Sequence, residues 1–227
     1  MILKYDLFLT DLDNTLYDFA AAMEGASQAV VTLIGRGDPG DLIRGLIFSP
    51  YGVESDQALV EYLNLQGLND EQVLKSACDE FVKIKNQNVI PFPGVVTGLL
   101  EIHNAGILIA AVTNASVHHA EERLNLIGVR DLFQLVISPE CIGRKKPDTE
   151  VYRLAAEMMV CPPHRICVLG DNLVNDIAPA QRLGMYGVHA RYGDRLPAEF
   201  AGGVVADAVV DHFEDVIPIL GVSGQKR

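Results

Sequence analysis

Short apolar runs alternate with amphipathic stretches through most of the chain. Runs of this kind, bounded by turn residues, are typical of buried strands, whereas apolar positions three or four apart are typical of helices. The predicted strands lie at residues 5–10, 107–114, 132–138, 165–171 and 186–191, with a short sixth near residue 209. The predicted helices lie at residues 95–104, 118–128, 149–159 and 176–183 and near the end of the chain. Strands alternating with helices predict an α/β fold, a parallel sheet with helices on both faces.

Residues 18–88 have a different pattern, in which apolar positions recur at helical spacing. Glycine-rich breaks (GRGDPG, SPYG and QGLND) divide this stretch into about four pieces. Asn69 and Asp70 precede the last piece, as polar residues do at helix N-termini. The pattern predicts a small all-helical domain inserted after the first strand, with residues 17–89 as the insert and residues 1–16 and 90–227 as the core.

Composition and charge narrow the class of protein. The chain has 227 residues, 49% of them hydrophobic, which suffices for one domain with a smaller insert. The net charge of -12 argues against nucleic acid as a partner, because phosphate backbones require clustered Lys and Arg. No apolar run reaches the length of a membrane span, and acidic residues interrupt the N-terminal run, which we interpret as a strand rather than a signal peptide. The four cysteines form no CxxC pair, so we expect reduced thiols and a cytoplasmic protein.

Two carboxylates, Asp11 and Asp13, follow the first predicted strand in the string DLDNTLY. Ligands bind outside the carboxyl ends of the strands in parallel sheets, so both residues lie where a site is expected. One carboxylate could attack phosphorus and form an acyl-phosphate, while the other could protonate the leaving group and then activate water. Acidic residues also cap loops, so Asp11 and Asp13 alone are compatible with either a loop cap or a catalytic site.

Further polar residues follow the second and third predicted strands. Thr113 and Asn114 could hold a phosphoryl oxygen through a hydroxyl and backbone N–H groups, although a β-branched residue before an Asn turn is common in any sheet. The string RKKPD offers a cation from Arg144, Lys145 or Lys146, and each could equally be a solvated loop residue.

The string GDNLVND, residues 170–176, ends the fourth predicted strand. Asp171 could give an oxygen ligand to Mg²⁺, which prefers octahedral oxygen coordination and keeps several waters. Asp176 could be only a partner of the dipole of the next helix. His118 and His119 cannot bind one metal together, because adjacent residues on a helix point in different directions.

The chain resembles the haloacid dehalogenase (HAD) superfamily of phosphatases in four motifs, which occur in the order that the superfamily has. In chain order, these motifs are DxDxT, TN, a lysine before proline, and GDxxxxD. The resemblance implies a Rossmann-like core, Asp11 as the nucleophile and Asp13 as the general acid and base. It also implies Mg²⁺ held by Asp11, the Asp13 backbone carbonyl and Asp171, with Asp176 and Asn172 supporting these groups. Superfamily members that dehalogenate lack an acid at the position of Asp13, so its presence favours phosphoryl chemistry.

The resemblance also assigns the contacts to the substrate phosphate. Thr113, through its hydroxyl, and Asn114 become phosphate ligands. Because the superfamily lysine directly precedes proline, the resemblance selects Lys146 as the catalytic cation that offsets the charge of Asp11 and the phosphate.

The same resemblance implies that the helical insert forms a mobile cap, which closes over the site and recognises the leaving group of the substrate. The chain would leave for the cap at Tyr17 and Asp18 and return at residues 88–93. A cap of this size implies a small phosphorylated metabolite, and Glu24, Arg44 and Tyr51 are candidate specificity residues. The strings DNTLY and TNA resemble the pyrimidine 5′-nucleotidase-like and acylneuraminate phosphatase-like branches. A phosphoglycolate phosphatase-like branch is also compatible with the resemblance as a whole.

The sequence therefore favours a Mg²⁺-dependent phosphatase that acts on a small phosphate ester through phospho-Asp11. The substrate would be a nucleoside monophosphate or a sugar or organic-acid phosphate. A phosphomutase of the same fold and a non-catalytic binding module are the alternatives, and the presence of Asp11, Asp13, Lys146 and Asp171 argues against the second. We expect a monomer or homodimer without nucleic-acid or membrane partners.

Overall fold

The computed structural model describes residues 3–222, which contain a six-stranded sheet. Its strands are β1 (Leu7–Thr10), β2 (Leu108–Val112), β3 (Leu135–Ile137), β4 (Ile166–Gly170), β5 (Tyr186–Ala190) and β6 (Ala208–Val210). They lie in the order β3-β2-β1-β4-β5-β6, and each neighbouring pair is parallel. The predicted α/β fold with a Rossmann-like parallel sheet is confirmed.

The first four described helices lie in the segment inserted after β1. These are α1 (Phe19–Ile34), α2 (Pro39–Ile47), α3 (Asp56–Leu65) and α4 (Glu71–Gln87). The helices that accompany the sheet are α5 (Val95–Asn104), α6 (Val117–Leu126), α7 (Pro139–Ile142), α8 (Glu150–Met158), α9 (Ala178–Arg182) and α10 (Val216–Ile219). In the described part of the chain, no helix is both long enough and apolar enough to cross a membrane.

The position of β1 at the centre of the sheet explains its composition. Every residue of β1 and of its neighbour β4 is buried, because parallel strands in mid-sheet are covered on both faces. In the register of the sheet, Thr10 lies beside Ala111 of β2 and Leu169 of β4. The loops after β1, β2 and β4 therefore leave the sheet at the same edge.

Two elements differ by more than two residues from their predicted bounds. The strand predicted at 132–138 begins only at Leu135, because Arg130–Leu132 forms a 3-10 turn. The helix predicted at 176–183 is instead a π-helical turn, Leu173–Ile177, followed by α9. The side chain of Asn172 accepts hydrogen bonds from the N–H groups of Val174 and Asn175 and so starts the helical turn earlier than the sequence indicated.

The chain divides into two compact units, with boundaries between Asp18 and Phe19 and between Ile90 and Pro91. One unit contains the sheet and the other contains α1–α4. The Leu16 carbonyl accepts a hydrogen bond from the Phe92 N–H at 2.9 Å, so the segments that leave and rejoin the sheet unit run side by side.

The four helices of the second unit have their own buried apolar core. Asp70 caps α4 by accepting from the N–H groups of Gln72 and Val73, and the helix begins at Glu71. Within the same unit, Lys85 is buried and its Nζ lies 2.6 Å from Glu54 Oε1. The core residues include Ala22, Met23, Ala26, Val30, Leu42, Leu46, Leu59, Leu63, Ala77 and Phe81.

Candidate active site

Asp11 directly follows the central strand, and its side chain is almost completely buried. Its backbone N–H donates to the Leu169 carbonyl at 2.9 Å, which extends the pairing of β1 with β4 by one residue. Its carboxylate accepts from the Lys146 ammonium, with Nζ 2.5 Å from Oδ1. The fold therefore brings together the two residues that the sequence predicted as nucleophile and cation.

Lys146 is the buried cation of the RKKPD segment, and its Nζ also lies 2.7 Å from Asp176 Oδ1. The two alternatives lie elsewhere, since Lys145 is exposed and Arg144 pairs with Asp148 at 2.8 Å. Burial opposes the charged form of Lys146, but the carboxylates of Asp11 and Asp176 outweigh burial and raise its pKa. Lys146 is therefore charged at neutral pH and bridges two carboxylates.

Asp171 follows β4 and lies next to Asp11. The Thr15 hydroxyl is 3.4 Å from Asp11 Oδ2 and 3.3 Å from Asp171 Oδ1, and it accepts from the Asp171 N–H at 3.1 Å. Thr15 is the threonine of the DxDxT motif, and no role was predicted for it from the sequence. The residue links the loops after β1 and β4, which keeps the two carboxylates close.

The crowding of carboxylates changes their acidity. Burial, together with Asp176 and Asp13, raises the pKa of Asp11 to about 7 although Lys146 opposes the rise. Burial, together with Asp11 and Asp176, raises the pKa of Asp171 to about 9. The protein alone thus supplies less positive charge than these carboxylates need in order to be ionised.

The set of oxygen donors in the site tests whether a metal fits there. Carboxylate oxygens of Asp11, Asp171 and Asp176 lie within 4.8 Å of one another. Such a set of oxygen donors suits a hard divalent cation such as Mg²⁺.

Asp176 differs from the other two carboxylates because donors surround it. Its Oδ1 accepts from Lys146 and from the Tyr152 hydroxyl at 3.2 Å, and its Oδ2 accepts from the Asn172 N–H at 3.1 Å. Gly170 makes this packing possible, because a Cβ there would come within 2.4 Å of Asp176 Cβ. Because these donors already occupy Asp176, Asp11 and Asp171 could bind a cation more readily than Asp176, which contacts Lys146.

Asn114 follows β2, and its side chain makes hydrogen bonds with the backbone of Lys146. Its Oδ1 accepts from the Lys146 N–H at 2.8 Å, and its Nδ2 donates to the Lys146 carbonyl at 3.2 Å. Thr113 is buried, and its hydroxyl oxygen accepts from the Ala115 N–H at 3.1 Å. The side chain of Asn114 thus fixes the lysine, and its predicted contact with phosphate stays a prediction, as does that of Thr113.

Asp13 lies in the loop after β1, and its Oδ1 accepts two hydrogen bonds. One comes from Arg123 Nη1 at 2.5 Å and the other from the Tyr17 hydroxyl at 2.9 Å. No role was predicted for Arg123 from the sequence, and Tyr17 was predicted only to lie where the chain leaves the core. An arginine on an amphipathic helix carries no sequence signal of this contact.

The candidate specificity residues lie in the helical unit. Glu24 and Tyr51 are exposed, and Arg44 pairs with Asp41 on the same helix. Their role in recognising a substrate stays a prediction.

The fold and the site together define an α/β protein with a cluster of carboxylates around one lysine at the carboxyl edge of its sheet. The family profile of haloacid dehalogenase-like hydrolases matches residues 5–184, well over half of the chain. The chain therefore belongs to the haloacid dehalogenase-like hydrolase family, which confirms the resemblance drawn from the four motifs.

Relatives of known function are similar over most of their length. The chain is 28% identical to N-acetylmuramic acid 6-phosphate phosphatase from Pseudomonas aeruginosa, covering 97% of this chain and 96% of the relative. It is 26% identical to phosphoglycolate phosphatase from Psychrobacter arcticus, covering 82% of this chain and 84% of the relative. Both relatives are phosphatases.

The fold is also similar to that of solved structures. The crystal structure of the HAD hydrolase YfnB from Bacillus subtilis, bound to magnesium, has a TM-score of 0.74 with this chain at 19% identity, covering 96% of this chain and 100% of YfnB. At this identity the likeness supports the fold alone.

Proposed function

We propose that the chain is a Mg²⁺-dependent phosphatase that hydrolyses a small phosphorylated metabolite through a phospho-aspartate on Asp11. The observation that carries the proposal is the buried contact of Lys146 with Asp11, beside Asp171 and within a short loop of Asp13. A carboxylate nucleophile, a cation beside it and a second carboxylate for proton transfer are the groups that two-step phosphate ester hydrolysis needs.

In the first step, an oxygen of Asp11 forms a bond to phosphorus while the bond from phosphorus to the leaving oxygen breaks. Asp13 gives its proton to that oxygen, so the alcohol leaves in neutral form. Lys146 offsets the negative charge that the carboxylate and the phosphoryl group bring together, and the Thr113 hydroxyl and the backbone N–H groups of Asn114 bind phosphoryl oxygens.

In the second step, water attacks phosphorus and gives a proton to Asp13. The bond between phosphorus and Asp11 then breaks, which releases inorganic phosphate and restores the Asp11 carboxylate and the Asp13 acid. The net reaction consumes one phosphate ester and one water and yields one alcohol and one phosphate.

The proposal assigns the metal to oxygen ligands. Asp11, Asp171 and the backbone carbonyl of Asp13 would hold Mg²⁺, while Asp176 and Asn172 hold the surrounding groups. The cation supplies positive charge that lets a dianionic phosphate approach a carboxylate. The raised pKa values of Asp11 and Asp171 support this assignment, because a bound cation favours their ionised forms.

The substrate class follows from the relatives. The names of the two phosphatases specify a sugar phosphate and an organic-acid phosphate, and a third relative is glyceraldehyde 3-phosphate phosphatase from Methanocaldococcus jannaschii. We therefore place a sugar phosphate or organic-acid phosphate ahead of a nucleoside monophosphate. The helical unit is proposed to be the cap that selects the leaving group.

Phosphate release from a panel of sugar, organic-acid and nucleoside phosphates tests the proposal. Each substrate is assayed with Mg²⁺ and with chelator, for the wild type, for Asp11→Asn and for Asp131→Asn, which changes an exposed carboxylate of the same unit. We expect chelator-sensitive release that Asp11→Asn reduces by at least about 1,000-fold and Asp131→Asn leaves unchanged. Folded wild-type protein that releases no phosphate from any substrate, or an active Asp11→Asn variant, would contradict the proposal.

The covalent step has its own readout. Acid quenching during turnover should trap a phosphoenzyme that hydroxylamine cleaves, as it does acyl-phosphates, and Asp11→Asn should trap none. Transfer of the phosphoryl group within a sugar, without release of phosphate, would instead indicate the phosphomutase.

A further inference from the structure

Arg123 is a completely buried arginine whose side chain reaches the loop after β1. It lies on α6, which follows β2, and its Nη1 is 2.5 Å from Asp13 Oδ1 although the two residues are 110 positions apart. A buried guanidinium loses its hydration, and it is found inside proteins only where partners replace the lost water. Its presence here therefore needs an explanation.

Tyr17 contacts the same oxygen from the other end of the loop. Its hydroxyl donates to Asp13 Oδ1 at 2.9 Å, and its ring is completely buried. Burial and the Asp13 carboxylate raise the pKa of Tyr17 well above its ordinary value, so the hydroxyl keeps its proton and acts as a donor.

The two hydrogen bonds fix Asp13 in an asymmetric way. Both of these hydrogen bonds go to Oδ1. The side chain of Asp13 is 24% exposed, whereas that of Arg123 is 0% exposed. One oxygen is thus held by buried donors while the carboxylate as a whole stays accessible.

Stability alone explains this arrangement poorly. Replacing a buried ion pair by apolar residues of similar volume is often neutral or stabilising, so such pairs are weak evidence of a stabilising role. Arg123 pairs with Asp13, and the proposed function assigns both proton transfers to Asp13. Those transfers require the carboxylate to be placed to well under about 1 Å.

We propose that Arg123, together with Tyr17, is a positioning residue that holds Asp13 by Oδ1 and presents Oδ2 to the leaving oxygen and then to the attacking water. The inference rests on the proposed phosphatase function. Neither residue touches the substrate in this scheme, since both act through Asp13.

The scheme makes a specific prediction about leaving groups. An alkoxide is a poor leaving group and needs the proton of Asp13, whereas p-nitrophenolate leaves readily without it. Misplacing Asp13 should therefore reduce kcat/KM for an alkyl phosphate far more than for p-nitrophenyl phosphate, because kcat/KM reports the step in which the leaving group departs. A general loss of structure would reduce both by similar factors.

The experiment compares Arg123→Met, Arg123→Lys and Tyr17→Phe with the wild type on both substrates. The control is Arg153→Met, which removes a half-exposed arginine that pairs with two glutamates on its own helix. For Arg123→Met we expect kcat/KM for the alkyl phosphate to fall about 100-fold or more and that for p-nitrophenyl phosphate to fall less than about 10-fold. Arg123→Lys and Tyr17→Phe should show the same selectivity with smaller losses, and Arg153→Met should match the wild type.

A double-mutant cycle provides the second readout. Once Asp13→Asn has removed the acid, adding Arg123→Met should cost less than about 3-fold more, because a positioning residue has nothing left to position. Tyr17→Phe keeps the buried ring, so it remains informative if Arg123→Met does not fold. Equal losses on both substrates in the folded variants, or full additivity with Asp13→Asn, would overturn the inference.

Failure of this inference is distinct from failure of the proposed function. If the folded wild type releases phosphate from no substrate of the panel, the phosphatase proposal fails, and the alkyl phosphate used here is the one in that panel that the wild type hydrolyses fastest. If the wild type is active and depends on Asp11 but the variants show no selectivity between leaving groups, only the role of Arg123 is wrong.

Discussion

At the scale of single residues, the site is organised by one ammonium group among three carboxylates. Lys146 contacts Asp11 and Asp176, while Asp171 has no ammonium partner among the described residues. Asp176 is held by three donors, so its charge is locally compensated. The uncompensated charge falls on Asp11 and Asp171, the two residues to which the proposal assigns the metal.

Gly193 is the residue whose substitution should disturb this site most directly without changing its chemistry. A Cβ at this position would lie 1.6 Å from the Asn14 carbonyl oxygen, so the loop after β5 packs on the backbone of the loop that carries Asp13. Gly193→Ala should therefore displace one of the two loops, and we expect kcat/KM to fall about 100-fold, the loss that a misplacement of about 1 Å can cause. Steady-state kinetics with the preferred phosphate ester measures the effect.

Gly45→Ala is the matched control for that substitution. Gly45 is exposed within α2, and a Cβ there would meet no atom within 4 Å. Alanine should raise the free energy of unfolding by up to about 1 kcal/mol, because glycine is unfavourable inside a helix. An active and undisturbed Gly193→Ala protein would show that the close approach does not constrain the site.

The sequence predicts the carboxylates of the site better than the residues that hold them. Asp11 and Asp171 follow apolar runs, and the ends of parallel strands meet at one edge, so their proximity could be predicted from the chain alone. Arg123 could not, because a contact across 110 positions leaves no periodic or local signal. Thr15 was visible in its motif, but only the pairing of β1 with β4 brings its hydroxyl to Asp171.

At the scale of elements, the end of α8 shows a local conflict between sequence and backbone. Val160 follows the last turn with φ of 50° and is 89% exposed. This left-handed position usually holds glycine, because the Cβ of other residues is crowded there and a β-branched side chain most of all. The fold keeps the conformation because the Cys161 N–H closes the helix by donating to the Ala156 carbonyl at 3.0 Å.

Val160→Gly should stabilise the protein by about 1 kcal/mol. The substitution relieves a strain of about 1–2 kcal/mol, and the greater freedom of glycine in the unfolded chain offsets part of that gain. Chemical denaturation of the wild type, Val160→Gly and Val160→Ala measures it, and alanine should gain less because it keeps a Cβ. A destabilised glycine variant would mean that the exposed valine makes contacts worth more than the strain.

The elements themselves follow the sequence closely where the hydrophobic pattern is long. The six strands and their parallel pairing match the predicted alternation, because buried parallel strands must be apolar on both faces. The exceptions are short segments in which hydrogen bonds of single residues decide the geometry. Asn172 starts the π-helical turn, and Arg130 donates to the Phe133 carbonyl at 2.8 Å beside the turn that shortens β3.

At the scale of the whole molecule, the crowded carboxylates of Asp11 and Asp171 link the stability of the fold to pH and to metal binding. In the metal-free protein, the pKa values of about 7 for Asp11 and about 9 for Asp171 lie above those of the same groups in an unfolded chain. The folded state therefore binds more protons than the unfolded state between about pH 4 and about pH 9. Across this window the free energy of unfolding should fall as pH rises, while Lys146, whose pKa is raised, stays charged and contributes throughout.

Magnesium should reverse this loss of stability, because the ligands must be deprotonated before they bind a cation. Thermal unfolding in chelator is expected to show a lower Tm at about pH 8.5 than at about pH 5.5, and Mg²⁺ should raise Tm more at the higher pH, where its binding displaces fewer protons. Asp171→Asn removes one of the two acids whose pKa is raised, so it should flatten the pH dependence in chelator and weaken the effect of Mg²⁺. Asp131→Asn, which changes an exposed carboxylate, should leave both unchanged. A metal-free wild type that gains stability between these two pH values would mean that the site carries its negative charge without help, and the assignment of the metal to Asp11 and Asp171 would lose its physical basis.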